Sequence, residues 1–477
     1  MSLSLHSRHS SVESKAALLG DAPRSPDDFL PTNIPRSSRS RRVLLAACAG
    51  LGVTSIIALA TFALWSSTSS SNGQQPPLIV HPTHEFEYNP QHYLMGPPTD
   101  SFRENLRPEL QYITSWVSAG WTNDVMTYTN LIYLAIITRR IPIIGAFTPS
   151  HVGSDVPPIP FGEVFDVPRL SEEIGVPVLE WHQVKDSESE VIDPVGCWNI
   201  WQTMRPSETV AHYSRVPHLV GLDISYTKVP PSVKLPNTGP NDLHVSYWAL
   251  ASLGFPQEYQ ANVDREEHSP SPQLGLELLP DEQLMCFDFL YYASALNTYE
   301  YEHDYSPAWN AVAAHMHWEP KLQALADSYL RKTFGVSEQD DVPPYISLHI
   351  RRADFAVWCQ LPVEECFPPL SAYVDAVQAV KDELLETRGL SVEHVIVTSD
   401  ERDPDWWQEI AAVGWSFPDH SQTSALYGKW YPVLIDAVIQ SGGVGFVGTW
   451  KSTMSTMARR RSETWHDGVS RTVAFPA

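Results

Sequence analysis

The strongest constraint on the fold lies in the last third of the chain, where short apolar runs alternate with longer segments of helical pattern. The runs YISLHI (345–350), HVIVTS (394–399) and GVGFVGT (443–449) predict strands. The segments SAYVDAVQAVKDELLETRG (371–389) and ALYGKWYPVLIDAVIQS (425–441) predict helices. Because strands that alternate with helices form parallel sheets covered on both faces, this region predicts an α/β lobe.

The same alternation begins earlier in the chain, near residue 108. QYITSWVS (111–118) and IPIIGAF (141–147) predict strands. Between them, GWTND (120–124) predicts a turn and VMTYTNLIYLAIITRR (125–140) predicts a helix. A second α/β lobe is therefore expected in the first half of the folded region.

A helix predicted over residues 321–335, closed by Gly335 in the left-handed conformation, ends this first half. We therefore predict an N-terminal lobe over residues 84–335 and a C-terminal lobe over residues 336–477. The Pro- and Trp-rich stretch from 149 to 320 shows no clear periodicity.

Residues 43–65, VLLAACAGLGVTSIIALATFALW, contain no charged side chain. At ~1.5 Å per residue a helix of this length reaches ~35 Å, enough to cross a bilayer core. Four arginines precede the run, which predicts a cytoplasmic N-terminus and a single-pass type II membrane protein: Arg36, Arg39, Arg41 and Arg42. Residues 1–42 then form a disordered tail and residues 66–83 a stem, whereas a buried core helix is the alternative for the apolar run.

The composition excludes one class of partner and suggests a compartment. A formal net charge of −24 argues against a general nucleic-acid binder, which needs a basic surface. Cys359 and Cys366 flank a short loop and predict one disulfide, and Cys197 and Cys286 then predict a second by elimination. Metal binding by these four cysteines is the alternative, but they show no paired spacing.

Polar residues follow the predicted strands of the C-terminal lobe where each strand ends. HIRRAD (349–354), SDE (399–401) and GTWKSTMS (448–455) occupy these positions, and the last opens a helix. Ligands bind at the carboxyl ends of such strands. Ser452, Thr453 and the free amides of the helix would bind an anion, and an arginine would hold a phosphate bidentately. The pattern predicts a diphosphate site, with a structural Arg–Asp pair and simple helix capping as the alternatives.

These segments also resemble a known family, the GDP-fucose protein O-fucosyltransferases and the related α1,6-fucosyltransferases. The resemblance lies in HIRRADF, VIVTSDE, LIDAVIQSGGVGFVGTWKSTMS and, more weakly, GWTND, and it covers about the last 135 residues well. It implies a GT-B-like fold, in which two Rossmann-like lobes enclose a cleft and the donor binds mostly to the second lobe. It also implies transfer of fucose from GDP-fucose to a protein or glycan hydroxyl in the Golgi or the endoplasmic reticulum.

The resemblance assigns roles to individual donor-side residues. It implies that Arg351 grips the β-phosphate of GDP, that His349 lies by the nucleoside and that Asp436 bonds the guanine edge. Ser452 and Thr453 would hold the phosphates. Two carboxylates, Asp354 and Asp400, would contact the donor or support its ligands.

On the acceptor side the resemblance assigns Asn123, which would match the asparagine of a Gly-x-x-Asn loop facing donor and acceptor. The chemistry expected is an inverting displacement at the anomeric carbon, in which the acceptor hydroxyl attacks as GDP leaves. Asp124 is the candidate general base. No divalent metal and no cofactor are required if arginine neutralises the phosphates.

Two further motifs have the form of other binding sites, and an arginine cluster lies near the end of the chain; none of them is assigned to the diphosphate site. Asp403-Pro-Asp405 has the form of a metal-binding D-x-D, but it predicts a helix N-cap. GVGFVG (443–448) has the form of a dinucleotide fingerprint, but its glycines lie within the strand. Arg459, Arg460 and Arg461 predict a solvated helix end, with a second phosphate site as the alternative. A non-catalytic binding protein on the same scaffold, or a transferase using another GDP-sugar, stays the alternative function.

Overall fold

The computed structural model describes residues 88–153, 155–236, 238–239, 242–353, 355 and 365–475. The predicted tail, apolar span and stem lie outside this range, as do Asp354 and Cys359. Within the range, the helices are all too short or too polar to traverse a lipid bilayer. Residues His84–Ala477 form one structural unit.

The N-terminal half is built on a seven-stranded sheet with the order β3-β2-β1-β8-β4-β5-β7. Its pairings are parallel except for β7, which runs antiparallel to β5. A two-stranded parallel pair, β6 with β9, lies beside it. The strands are β1 (Tyr112–Ser115), β2 (Ile141–Ile144), β3 (Leu179–Glu180), β4 (Asp193–Asn199), β5 (Leu222–Lys228), β6 (Val245–Ser246), β7 (His268–Ser269), β8 (Leu284–Phe287) and β9 (Ala293–Ser294).

Helices of very different lengths surround this sheet. The longest, Trp121–Thr138 (α2), is a largely buried helix that packs on β1 and β2. The helices are α1 (Phe102–Asn105), α2 (Trp121–Thr138), α3 (Val167–Ile174), α4 (Trp181–Val184), α5 (Trp201–Met204), α6 (Val216–Leu219), α7 (Tyr247–Ser252), α8 (Pro256–Val263), α9 (Pro307–Ala311) and α10 (Pro320–Phe334), with 3-10 turns at Pro90–His92, Phe161–Glu163, Pro231–Val233, Glu300–Glu302 and Ala313–His315.

The C-terminal half is built on a four-stranded, wholly parallel sheet with the order β11-β10-β12-β13. The chain passes from β10 to β11 on one side and later returns to β12 on the other side of β10. The carboxyl ends of β10 and β12 are therefore a topological switch point, the place where such sheets bind ligands. The elements are β10 (Tyr345–Ile350), α11 (Leu370–Arg388), β11 (His394–Ser399), α12 (Pro404–Ala412), α13 (Thr423–Tyr427), α14 (Tyr431–Ser441), β12 (Gly445–Thr449), α15 (Thr453–His466) and β13 (Val469–Val473).

The predicted mixed α/β fold with parallel sheets is confirmed, while several element boundaries are corrected. GWTND is not a turn, because α2 already begins at Trp121 with Gly120 as its N-cap. The helical segment 425–441 is two helices separated at Gly428, whose φ of 104° breaks the first. β13 was not predicted, and neither were the strands between residues 149 and 320.

Two of the three arginines clustered in α15, Arg460 and Arg461, are buried, so the prediction of a solvated helix end is wrong for them. Arg460 and Arg461 are 5% and 2% exposed, because the N-terminal half covers this face of the helix. Arg460 donates from Nη1 to Asp304 at 2.5 Å, and the Arg461 guanidinium lies 4.4 Å from the ring of Trp318. The helix that begins at the switch point therefore also joins the two halves.

Candidate active site

His349 lies near the carboxyl end of β10 and is buried. Its Nδ1 is 2.8 Å from the hydroxyl of Ser455 and 3.5 Å from that of Ser452, both in or next to the first turn of α15. Burial, and to a lesser degree the charge of Arg351, lowers the pKa of His349 to about 3. The imidazole is therefore neutral at physiological pH and holds the two loops together by hydrogen bonding.

Arg351 follows β10 directly and stands beside the loop that follows β12. Its backbone N–H donates to Thr449 Oγ1 at 2.9 Å. Its guanidinium donates from Nη1 to Asp400, which follows β11, and lies 5.3 Å from the ring of Phe355. The Arg351 and Asp400 side chains are 26% and 24% exposed, so this pair lies at the surface of the switch point. A guanidinium carries five N–H donors in a planar fork, so one arginine can serve more than one acceptor.

Arg352 has a different environment, although it is the next residue. Its Nε donates to Glu401 at 2.5 Å, and its guanidinium lies against the rings of Phe367 and Trp406 at 4.6 and 5.3 Å. Its backbone N–H donates to Asp400 at 2.8 Å. Arg352 therefore anchors the loop to the C-terminal half, whereas Arg351 faces the switch point.

Thr449 connects the elements of the site, although its role was not predicted. Its hydroxyl accepts from the Arg351 N–H, donates to the His349 carbonyl at 3.1 Å, and lies 2.8 Å from the hydroxyl of Tyr373. Its own N–H donates to Ser455 Oγ at 3.1 Å. Thr449 and Ser455 lie in the GTWKSTMS segment, so the available signal was their place in that motif; Tyr373, on α11, offered none.

Ser452 caps α15, and Thr453 is its first residue. The Ser452 hydroxyl accepts from the N–H of Ser455, and the first backbone bond of the helix runs from Thr456 N–H to the Ser452 carbonyl. The amides of Thr453 and Met454 precede that bond and point out of the helix end, where they favour an anion. Ser452 and Thr453 follow Thr449, which accepts from the Arg351 N–H, so they lie at the same edge of the sheet as Arg351; their role in binding a phosphate stays a prediction.

The first turns of two helices from opposite halves meet at this point. Thr122, in the first turn of α2, has its hydroxyl 2.7 Å from that of Thr453. Asn123 is the next residue on α2, and its side-chain Oδ1 is buried with no hydrogen-bond partner among the described residues. Asn123, predicted to face donor and acceptor, therefore lies one residue from the contact between α2 and the first turn of α15.

Asp124 lies on the other side of the same turn and is fully buried. Its Oδ1 accepts from the N–H of Ala119 at 2.9 Å, and burial raises the pKa of this carboxyl well above its usual range. The carboxyl stabilises the loop between β1 and α2, which covers it. Its role as a general base stays a prediction.

Asp436 lies on α14 and pairs with a residue that sequence reasoning missed. His420 Nε2 is 2.9 Å from Asp436 Oδ1, and the other ring nitrogen of His420 is 3.0 Å from the hydroxyl of Thr423. Desolvation raises the pKa of Asp436. The hydrogen bond from His420 to the Asp436 carboxylate raises the pKa of His420. No motif marked His420, because it lies in an irregular segment between two helices.

The pKa of His349 leads to a first prediction, on stability. In the unfolded chain this imidazole titrates near its ordinary value of about 6.5. Between about pH 6.5 and about pH 3, the folded state therefore binds fewer protons than the unfolded state. The free energy of unfolding does not depend on this group above about pH 6.5, and it falls as the pH is lowered from there. One such group contributes a slope of up to about 1.4 kcal/mol per pH unit.

Urea unfolding at a series of pH values from neutral to mildly acidic measures this slope. A His349→Asn variant keeps a polar group near Ser455 and should show a shallower decline with acidity than the parent chain. A slope that is unchanged in the variant would mean that His349 does not titrate as its burial requires.

The described residues contain no cluster of three or more His, Cys, Asp or Glu side chains suited to a metal ion.

Comparisons with known proteins yielded structural similarity only. No protein-family model matches the chain, and no curated protein matches it either. The structure is similar to that of POFUT1 in complex with GDP-fucose, with a TM-score of 0.48, 14% identity, and coverage of 77% of this chain and 98% of that chain. It is also similar to NodZ alpha-1,6-fucosyltransferase soaked with GDP-fucose, with a TM-score of 0.34, 13% identity, and coverage of 74% of this chain and 92% of that chain. A third similar structure is the fucosyltransferase NodZ from Bradyrhizobium, with a TM-score of 0.35, 12% identity, and coverage of 74% of this chain and 93% of that chain.

Proposed function

We propose that the chain is a glycosyltransferase with a GT-B-like fold that transfers fucose from GDP-fucose to a hydroxyl of a protein or glycan, with inversion and without a metal. One observation carries the proposal. Arg351 directly follows β10, the N-terminus of α15 follows β12 after a short turn, and the Arg351 amide donates to Thr449 at the end of β12 at 2.9 Å, so both groups lie at the switch point of the C-terminal sheet. A planar cation beside a helix N-terminus suits a pyrophosphate group.

The same groups would assist departure of the nucleotide. As the bond between the sugar and the β-phosphate breaks, negative charge grows on the phosphate oxygens. The Arg351 guanidinium, the hydroxyls of Ser452 and Thr453, and the amides of the first helical turn are oriented before the reaction, so they stabilise that charge without reorganisation. Arg351 thereby supplies the neutralisation that a divalent cation supplies in metal-dependent transferases.

The guanine base would be selected by Asp436. A carboxylate accepts from N1–H and the exocyclic amine of guanine together, and adenine lacks this pair of donors. His420 bonds one oxygen of Asp436 and orients the carboxylate. His420 is thus a positioning residue for the base-binding group.

An Asp436→Asn variant should bind GDP about tenfold to 100-fold more weakly, because it loses two charge-assisted hydrogen bonds. Titration of GDP and ADP by calorimetry checks this. The variant should bind ADP as weakly as the parent chain does. A GDP affinity equal to that of the parent would place guanine elsewhere.

The acceptor would approach from the N-terminal half, where Asn123 and Thr122 lie next to Thr453. The acceptor hydroxyl would attack the anomeric carbon from the face opposite to GDP. The burial of Asp124 favours a second candidate function, a non-catalytic binding protein that retains the nucleotide site, because this carboxyl lacks access to an incoming hydroxyl.

The test is release of GDP from GDP-fucose by the purified full-length chain, with and without protein or glycan acceptors. Turnover that requires an acceptor supports the transferase, whereas tight GDP binding without turnover supports the non-catalytic function. GDP-mannose serves as the competing donor, since it shares the guanine and phosphate contacts. The activity should persist in EDTA, and a complete loss that manganese restores would contradict arginine-based neutralisation.

We further propose that residues 43–65 anchor the chain as a single-pass type II protein of the Golgi or endoplasmic reticulum membrane. The uncharged run and the arginines before it support this topology. A disulfide between Cys197 and Cys286 fits an oxidising lumen, since such bonds are rare in reducing compartments. Protease protection of the C-terminal part in intact microsomes tests the orientation.

A further inference from the structure

A cavity lies in the N-terminal half, away from the switch point. It has a volume of about 560 Å³, within the range of about 300–1,000 Å³ that small-molecule sites occupy. It opens at the amino-terminal ends of β1, β2 and β8, whereas α2 presents its first turn to Thr453 at its other end. The proposed donor site uses none of its lining residues.

The inner wall of this cavity is apolar and aromatic. Trp198, Met285 and Leu253 are almost fully buried and form part of its lining. The ring of Tyr259 packs edge-on against Trp198, with centroids 6.0 Å apart. At the mouth, the ring of Phe255 is 62% exposed and adds an aromatic surface to the lining.

Arg140 brings a buried positive charge to the wall of the cavity. The residue is 5% exposed, and its Nη1 donates to the carbonyls of Tyr112, Glu282 and Gln283 at 3.1, 2.9 and 3.2 Å. These bonds hold one end of the guanidinium. The other end, Nη2, has no hydrogen bond to another described residue and faces Gly254, 3.8 Å from where a Cβ of that residue would lie.

The charges around the cavity leave an excess of cation for a ligand. Arg139 lies at the mouth beside Arg140. Of the two acidic lining residues, Asp281 is already neutralised by Arg103 at 2.7 Å and accepts two backbone N–H groups. Asp281 and Glu282, the latter at the exposed rim, both attract Arg140, and with Arg103 included three guanidiniums stand against these two carboxylates.

We propose that this cavity is a binding site for a small organic carboxylate with an aromatic or aliphatic body. The carboxylate would accept from Arg140 Nη2 and from Arg139, and the body would lie against Phe255, Met285 and Trp198. A cationic ligand would meet the two guanidiniums. A purely apolar ligand would desolvate Arg140 Nη2 without giving it an acceptor, which is unfavourable.

Gly254 keeps the cavity open between these two walls. A Cβ at this position would lie 3.3 Å from the Ala251 carbonyl oxygen and 3.7 Å from Met285 Sδ. Its φ is not in the left-handed region, so a larger residue is restricted by space and not by backbone strain. A Gly254→Val substitution would therefore place methyl groups in the volume that the ligand requires.

The experiment uses N-acetylphenylalanine as the probe and N-acetylphenylalaninamide as the matched neutral control, titrated by NMR into the full-length chain with and without saturating GDP. The acid should bind at least about tenfold more tightly than the amide, the effect of a charge-assisted hydrogen bond. GDP should leave the affinity unchanged, because its proposed site is elsewhere.

Variants then locate the site. Arg139→Asn and Phe255→Ala alter exposed side chains, so both variants should fold. Each should lower the affinity for the acid several-fold, whereas Gly254→Val should abolish binding of the acid. Tyr213→Ala removes another exposed aromatic side chain, 71% exposed, and should change nothing. Equal affinity for acid and amide, displacement by GDP, no binding at millimolar acid, or an unchanged Phe255→Ala variant would each overturn the proposal.

Discussion

An Arg351→Ala variant should bind GDP about 100-fold more weakly than the parent chain. Arg351 follows β10 at the switch point, at the same edge of the sheet as the first turn of α15, and a phosphate bound there would accept two charge-assisted hydrogen bonds from its guanidinium. Each such bond contributes about 1.5–3 kcal/mol, and at about 1.4 kcal/mol per tenfold the lower figure for two bonds already gives an effect of this size. Calorimetric titration of GDP measures it directly.

The same variant should lose little stability. The pair with Asp400 is about a quarter exposed, and an ion pair in such a position contributes about 0–1 kcal/mol. The Arg351 amide bond to Thr449 does not depend on the side chain. Thermal unfolding of the apo protein should therefore shift by only a few degrees.

Arg352→Ala is the matched control, because it removes an adjacent guanidinium with different contacts. Arg352 bonds Glu401 and packs on Phe367 and Trp406, so its loss should lower stability by about 1–2 kcal/mol. GDP affinity should change far less than in Arg351→Ala. Equal affinity in Arg351→Ala, or an equal loss in both variants, would remove Arg351 from its proposed role.

The double variant Cys197→Ala/Cys286→Ala should lower the free energy of unfolding by about 2–5 kcal/mol. The disulfide joins β4 to β8 across a sequence separation of 89 residues, with the Cα atoms 4.6 Å apart. Removing it restores the entropy of a long loop to the unfolded chain. Both cysteines are fully buried, so the loss of packing around their sulfur atoms further lowers the free energy of unfolding.

Urea unfolding of the two single variants and the double variant checks this prediction. Either single substitution already breaks the crosslink, so each should lose nearly as much stability as the double variant. Strictly additive losses would show that packing, and not the crosslink, dominates. GDP affinity should be unchanged in all three, since the bond lies in the N-terminal sheet and the proposed donor site in the other.

The regular part of the C-terminal half was predictable because its signals are local. YISLHI, HVIVTS and the strand before GTWKSTMS are recognised by their own apolar runs, and β11 was predicted to the residue. The N-cap role of Asp403 is also local, and its side chain accepts from the Asp405 amide as expected. In the N-terminal half, strands such as β4 and β5 interrupt a Pro-rich sequence and offered no comparable periodicity.

The cysteine pairs illustrate a different kind of inference. Cys197–Cys286 was reached by elimination, and the structure confirms it. Cys366 is disulfide-bonded as well, and its predicted partner Cys359 lies outside the described residues. Here the chemistry of oxidised cysteines and their small number limited the possibilities.

By itself, the sequence determined where strands and helices alternate and which polar residues follow each strand, because hydrophobic period and turn chemistry act between neighbours in the chain. The tertiary structure alone decided that Arg351 pairs with Asp400, that Asp436 pairs with His420, and that Arg461 is buried. These outcomes depend on which elements pack against each other, and on how much water their contact excludes. Neither quantity is encoded in any short segment of the chain.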